Sequence, residues 1–195
     1  MMTVPVRLTA YQGFDALFHS TEGYVNVTAN EMSDLFALKA IKDGDDEAAR
    51  GDVALANTLS GIVESTSGCT SEHSMEHALS AYHPKLEHGA GLIMVSRAYY
   101  TFLAKSGTCD KRMIDMAKAL GKIDSSDPMD FVTALVELQT NCLVADLKMS
   151  DYGIQKEELQ ELANNARETM GGLYTVDPCE ITHADTISIL ESSYR

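Results

Sequence analysis

The sequence predicts an all-α helical bundle, and three observations carry that expectation. Helix-capping signals punctuate most of the chain, as at Asn30, Asp127-Pro128 and Thr182. Apolar residues recur at helical rather than alternating spacing, as in Leu159, Leu162, Ala163, Ala166 and Met170. Only two short stretches, TVPVRLTA near the start and YTVDP near the end, look extended.

Taken in order, the first helix is expected over 14–24 (FDALFHSTEGY), after Gly13, with Phe14, Leu17 and Phe18 on one side. A second runs from the Asn30 cap through EMSDLFALKAIK to a stop at Gly44, and a third from Asp45 or Asp46 to Gly68. The fourth spans Ser71 to about Tyr82 and is closed by Pro84. After His88, GAGLIMVSRAYYTFLAK is apolar on nearly every side, as befits a core helix. Asp110 to Gly121 forms a short helix, and Asp127-Pro128 starts one that runs to near Lys148. The 159–170 segment follows and stops at Gly171-Gly172. Thr182, with Asp185 three residues on, caps the last helix, whose Ile187, Leu190 and Tyr194 face inward.

Composition narrows the function classes. The chain has 195 residues, 45% hydrophobic and 23% charged, enough for one domain with a substantial core or two small ones. A formal net charge of −14 argues against nucleic acid or an anionic membrane surface as partner, since either would repel it. No apolar run approaches the length of a membrane span, and MMTVPVRLTAYQG lacks the apolar core of a signal peptide. Cys69, Cys109, Cys142 and Cys179 are widely spaced, so they read as reduced, buried thiols of a cytoplasmic protein.

Four of the six histidines, His73, His77, His83 and His88, fall between residues 68 and 91. His73 and His77 are one helical turn apart on one face. Upstream, Asp15 and His19 repeat that spacing, and a Pro-containing turn can fold His88 back toward both pairs. Two helices that each present such a pair can converge on one point. Several imidazoles with one carboxylate suit a divalent transition metal such as iron or zinc. His83, in the turn before Pro84, and His183, in the first turn of the last helix, read as ordinary solvated residues. Spacing alone leaves His77 among the candidate ligands.

The stretches GFDALFHSTEGYV and ANTLSGIVESTSGCTSEHSMEHALSAYHPKLEHGAG, with the ending DPCEITHADTISILESSY, closely resemble the iron-containing (group III) alcohol dehydrogenases. The resemblance covers nearly the whole chain. It implies the C-terminal helical domain of that family, a dehydroquinate synthase-like α domain, over 1–195, without the family's N-terminal nucleotide-binding half. It implies Asp15, His19, His73 and His88 as the ligands of Fe2+ or Zn2+. His77 corresponds to a residue near the nicotinamide and substrate, with a catalytic and cofactor-facing role. Four protein ligands leave positions open for a substrate oxygen at a six-coordinate ion, whereas five would crowd it.

The implied activity is hydride transfer between a primary alcohol or aldehyde and NAD(P), with a separate nucleotide-binding domain as partner; a homodimer is compatible with the resemblance. No glycine-rich phosphate loop follows a strand: Gly89-x-Gly91 opens an apolar helix and Gly171-Gly172 closes one. The stretch ALKAIKDGDDEAARGDVALA also looks abridged against the family. The alternative from another class is a non-catalytic metal-binding or assembly module derived from such an enzyme. A helical His-Asp phosphohydrolase ranks third, because the chain has no adjacent His-Asp doublet.

Overall fold

The computed structural model describes residues 5–43 and 50–195. Among these residues there are nine α-helices, three short 3-10 turns and no strand. In chain order the helices are α1 (Val6–Val25), α2 (Glu31–Asp43), α3 (Arg50–Thr66), α4 (Ser71–Tyr82) and α5 (His88–Ser106). They continue with α6 (Asp110–Ala119), α7 (Met129–Asn141), α8 (Leu159–Met170) and α9 (His183–Ser193).

The core is organised around α5, which packs against α1, α4, α7 and α9. Its near-continuous apolar sequence explains that place, because a helix without a polar face is stable only when surrounded. Gly89 to Ser96, Tyr99, Tyr100 and Leu103 are buried. Tyr100 is the aromatic hub. It stacks on Phe18 of α1 at 6.3 Å between ring centroids and meets Tyr99 and Phe131 edge-on at 5.1 and 5.0 Å. On one side α1, α2 and α3 pack together; on the other, α4 lies against α8, and α8 against α9.

Two capping expectations hold in detail. Asn30 Oδ1 accepts from the backbone N–H groups of Met32 and Ser33 at 3.1 and 3.2 Å, starting α2. Thr182 and Asp185 form a reciprocal capping box at the start of α9. The fourth helix spans the expected residues.

Other expectations are corrected. TVPVRLTA is not extended from Val6 onward: α1 begins eight residues before Phe14, with Thr9 N–H bonded to Pro5 O at 2.9 Å. Pro5 is the N-cap of α1, and burial of Tyr11 against the core outweighs the strand preference of valine and threonine. YTVDP is not extended either, because Tyr174 and Thr175 complete a 3-10 turn over Gly171–Thr175. Helix α7 ends at Asn141, not near Lys148. Leu143 adopts φ 58° there, and Val144 N–H bonds back to Gln139 O at 3.0 Å, a Schellman-type stop without its usual glycine. The expected stop at Gly44, the start at Asp45 or Asp46 and the abridged α2–α3 connection fall on residues that lie wholly or in part outside those described.

The start of α5 is the feature that positions the site. A Cβ on Gly89 would collide with the backbone of Tyr11 in α1. Glycine there lets the first turn of α5 abut α1 and carries His88 to the face on which Asp15 sits.

Candidate metal centre

Three helices supply the cluster: α1 brings Asp15 and His19 on successive turns, α4 brings His73, and α5 begins with His88. Asp15 Oδ1 lies 3.4 Å from His19 Nε2, 3.7 Å from His73 Nε2 and 3.3 Å from His88 Nε2. One carboxylate oxygen therefore faces the same ring nitrogen of three imidazoles. The rings crowd accordingly, with centroids 4.4 Å apart for His19–His73 and 5.3 Å for His73–His88.

His77 stands one layer out. It is exposed, with its ring 6.2 Å from His73 and 5.2 Å, edge to face, from His88. With Ser80, Ala81 and His88 it lines an open cleft of about 450 Å³. The helical spacing that makes His73 and His77 look like a pair thus separates them: His73, 3% exposed, points among the helices, and His77 lies at the mouth. His83 sits 3.3 Å from Glu158, away from the cluster, and His183 is exposed.

Each of the three inner imidazoles is held from behind through Nδ1. His73 Nδ1 donates to Glu22 Oε1 and His88 Nδ1 donates to Glu76 Oε2. His19 Nδ1 lies 3.1 Å from Cys69 Sγ. Glu22 and Glu76 are both fully buried. None of these three backing residues figured among the candidates from sequence. A signal existed for two of them: Glu22 continues the Asp15–His19 stripe at i+7, and Glu76 follows His73 at i+3.

The electrostatics follow from the geometry. Burial works against ionisation of Asp15, yet the surrounding His19, His73 and His88 hold its carboxyl far below the usual range. Burial likewise disfavours a charged His19, but Asp15 and Cys69 push it up to about 10. His88 is raised to about 9 against burial by Asp15 and Glu76, and His73 is raised by Glu22 and Asp15. His77 moves the other way, lowered by burial and by its neighbours His88 and His73. The inner cluster has a strong preference for positive charge, and the outer imidazole tends to stay neutral.

The donor types suit a divalent transition metal, and Asp15, His73 and His88 place one donor atom each within 4.8 Å of one another, as do His19, Cys69 and His73. Donors each about 2.1 Å from a common ion lie about 3.0–3.4 Å apart at octahedral or tetrahedral angles, and two of the three separations from Asp15 Oδ1 fall in that range. Asp15 Oδ1 and His73 Nε2 are also buried without a hydrogen-bond partner among the described residues. Buried polar atoms are rarely left so, and both are aimed at the shared point.

The pattern described as "Fe-containing alcohol dehydrogenase family, C-terminal" matches residues 9–194. Alcohol dehydrogenase 4 of Saccharomyces cerevisiae is 27% identical over all of this chain and 53% of its own length. Long-chain-alcohol dehydrogenase 1 of Geobacillus thermodenitrificans is 29% identical over 99% of this chain and 52% of its own. Among solved structures, an archaeal halo-thermophilic alcohol dehydrogenase from a Red Sea brine pool superposes with a TM-score of 0.90 at 27% identity. The match covers 98% of this chain and 52% of that one. The chain spans about half the length of the relatives it matches.

Proposed function

Since the chain belongs to the Fe-containing alcohol dehydrogenase family, we propose that it is the metal-bearing catalytic half of a dehydrogenase. That enzyme moves hydride between a primary alcohol or aldehyde and NAD(P). The observation that carries this reading is the convergence of three Nε2 atoms on Asp15 Oδ1 beside an open cleft.

In this reading Asp15, His19, His73 and His88 hold Fe2+ or Zn2+, two ions that accept this mixture of oxygen and imidazole nitrogen. When bound, such a metal polarises an alcohol or carbonyl oxygen and lowers the hydroxyl pKa. The work of the chain is to keep four donors in place and to leave the cleft side open. His77, exposed in the cleft and tending to the neutral form, is placed to accept the hydroxyl proton at a ring nitrogen and pass it to solvent. NAD(P) is contributed from a nucleotide-binding domain, in cis or in trans, a role open because this chain covers 53% of the length of one such relative.

The test is metal analysis of the purified chain together with substituted chains. The wild type should bind about one divalent ion, and His73→Ala should lose it. Full occupancy persisting in His73→Ala removes that residue from the ligand set. Metal binding without any turnover, once a nucleotide-binding domain is supplied, would favour a non-catalytic metal-binding module.

A further inference from the structure

We propose that Glu22 and Glu76 are positioning residues. On this view they hold His73 and His88 through Nδ1 so that both Nε2 lone pairs face the metal position. This deepens, and rests on, the function proposed above.

Each carboxylate ties an imidazole on one helix to a different helix. Glu22 on α1 takes the Nδ1–H of His73 on α4; Glu76 on α4 takes that of His88 at the start of α5. A neutral imidazole carries one N–H, so an acceptor at Nδ1 fixes the tautomer that leaves Nε2 as a donor to a metal. The two anions also offset part of the charge of a divalent ion in a buried setting.

The competing account is that both carboxylates serve the fold alone. For Glu22 the hydrogen bonding is compatible with either account, since Oε2 also accepts from Thr70 N and Oγ1 at 2.7 and 2.8 Å. Glu76 discriminates between them. Its Oε2 meets His88, while its Oε1 is buried with no hydrogen-bond partner among the described residues. Burying a carboxylate with one oxygen unmatched is costly, so it is a poor device for stability. The surrounding chain nevertheless makes room for it. A Cβ on Gly91 would lie 2.7 Å from both Cγ and Oε1 of Glu76. Glycine in the first turn of α5 is thus what allows the carboxylate to stand behind His88.

The experiment titrates Co2+ into the metal-stripped full chain against a chromophoric chelator and records the visible ligand-field spectrum. Wild type is compared with Glu76→Gln, Glu22→Gln and Gly91→Ala. Glu76→Gln keeps the size of the side chain and removes its charge. It should weaken Co2+ about 10- to 100-fold and shift the spectrum, while the metal-stripped chain keeps its helical circular dichroism. Gly91→Ala, which displaces the carboxylate without deleting it, should act in the same direction. Affinities within threefold of wild type with an unaltered spectrum in Glu76→Gln and Gly91→Ala overturn the inference and leave the proposed function standing. A wild-type chain that takes up no Co2+ overturns both.

Discussion

At the residue scale, what matters is which nitrogen faces which partner. His73 and His77 lie one turn apart on α4, yet one is enclosed by Asp15, Glu22 and His19 and the other looks into the cleft. His77→Ala should therefore retain the metal and lose turnover by about 100-fold or more in a context that includes a nucleotide-binding domain. His88→Ala should lose both. Equal metal loss from the two variants, measured by elemental analysis, would move His77 into the ligand set. Asp177 supports a separate prediction. Burial raises its pKa from 3.8 to about 7, against hydrogen bonds from Tyr99 and Ser71. An acid with a raised folded pKa costs nothing while both states are protonated. It destabilises the fold increasingly as pH climbs from its unfolded value, and fully above its folded one. Between pH 5 and 8 the wild type should lose on the order of 2 kcal/mol through this group. Asp177→Asn does not titrate, so its melting temperature relative to wild type should be higher at pH 8 than at pH 5. A difference that does not change with pH would show that Asp177 is already ionised at pH 5.

At the scale of elements, helix ends decide where the clustered side chains fall. The first turn of α5 reaches α1 because residue 89 has no side chain. Gly89→Ala should push the two apart, cost about 1–3 kcal/mol as other overpacking changes do, and weaken metal binding by moving His88 from Asp15. Unchanged metal affinity in a folded Gly89→Ala chain would break that connection. At the end of α7, Leu143 sits in the left-handed region and is 87% exposed, so its side chain contributes little packing there. The left-handed conformation costs a non-glycine residue about 1–2 kcal/mol, part of which glycine returns as unfolded-state entropy. Leu143→Gly should accordingly raise the melting temperature by about 2 °C and leave metal binding untouched. A lowered melting temperature would mean that Leu143 makes contacts of real worth.

At the scale of the whole molecule, the cluster of Asp15 with His19, His73 and His88 is built from three helices of one bundle, whereas the proposed hydride transfer needs a nicotinamide held against the substrate. The chain carries a formal charge of −14, and among the described residues no strand leads into a glycine-rich phosphate loop, so these offer little with which to grip a pyrophosphate. No helix among the described residues is long and apolar enough to cross a membrane. The metal-loaded chain by itself is expected to bind NAD or NADP weakly in calorimetry and to oxidise little or no alcohol. Adding a nucleotide-binding domain should restore turnover. Tight cofactor binding with steady turnover by this chain alone would require a dinucleotide site of a different kind.

Local chemistry made much of this protein legible from its sequence. The all-α class follows from periodicity, and the starts of α2 and α9 follow from side chains that satisfy backbone groups two or three residues away. The Asp15–His19 and His73–His77 pairs stood out because residues one turn apart share a helix face, and a family resemblance then implied His73 rather than His77 as a ligand. The tertiary structure decided what depends on distant neighbours. Tyr11 had to find the core before α1 could begin at Val6, and a leucine took the left-handed turn that glycine usually fills. Above all, Cys69 reads as an ordinary residue in the sequence, and Glu22 and Glu76 carry no more than their helical spacing from Asp15 and His73. Their place behind His73, His19 and His88 exists only once α1, α4 and α5 pack together, because burial is a property of the assembled helices and not of any one of them.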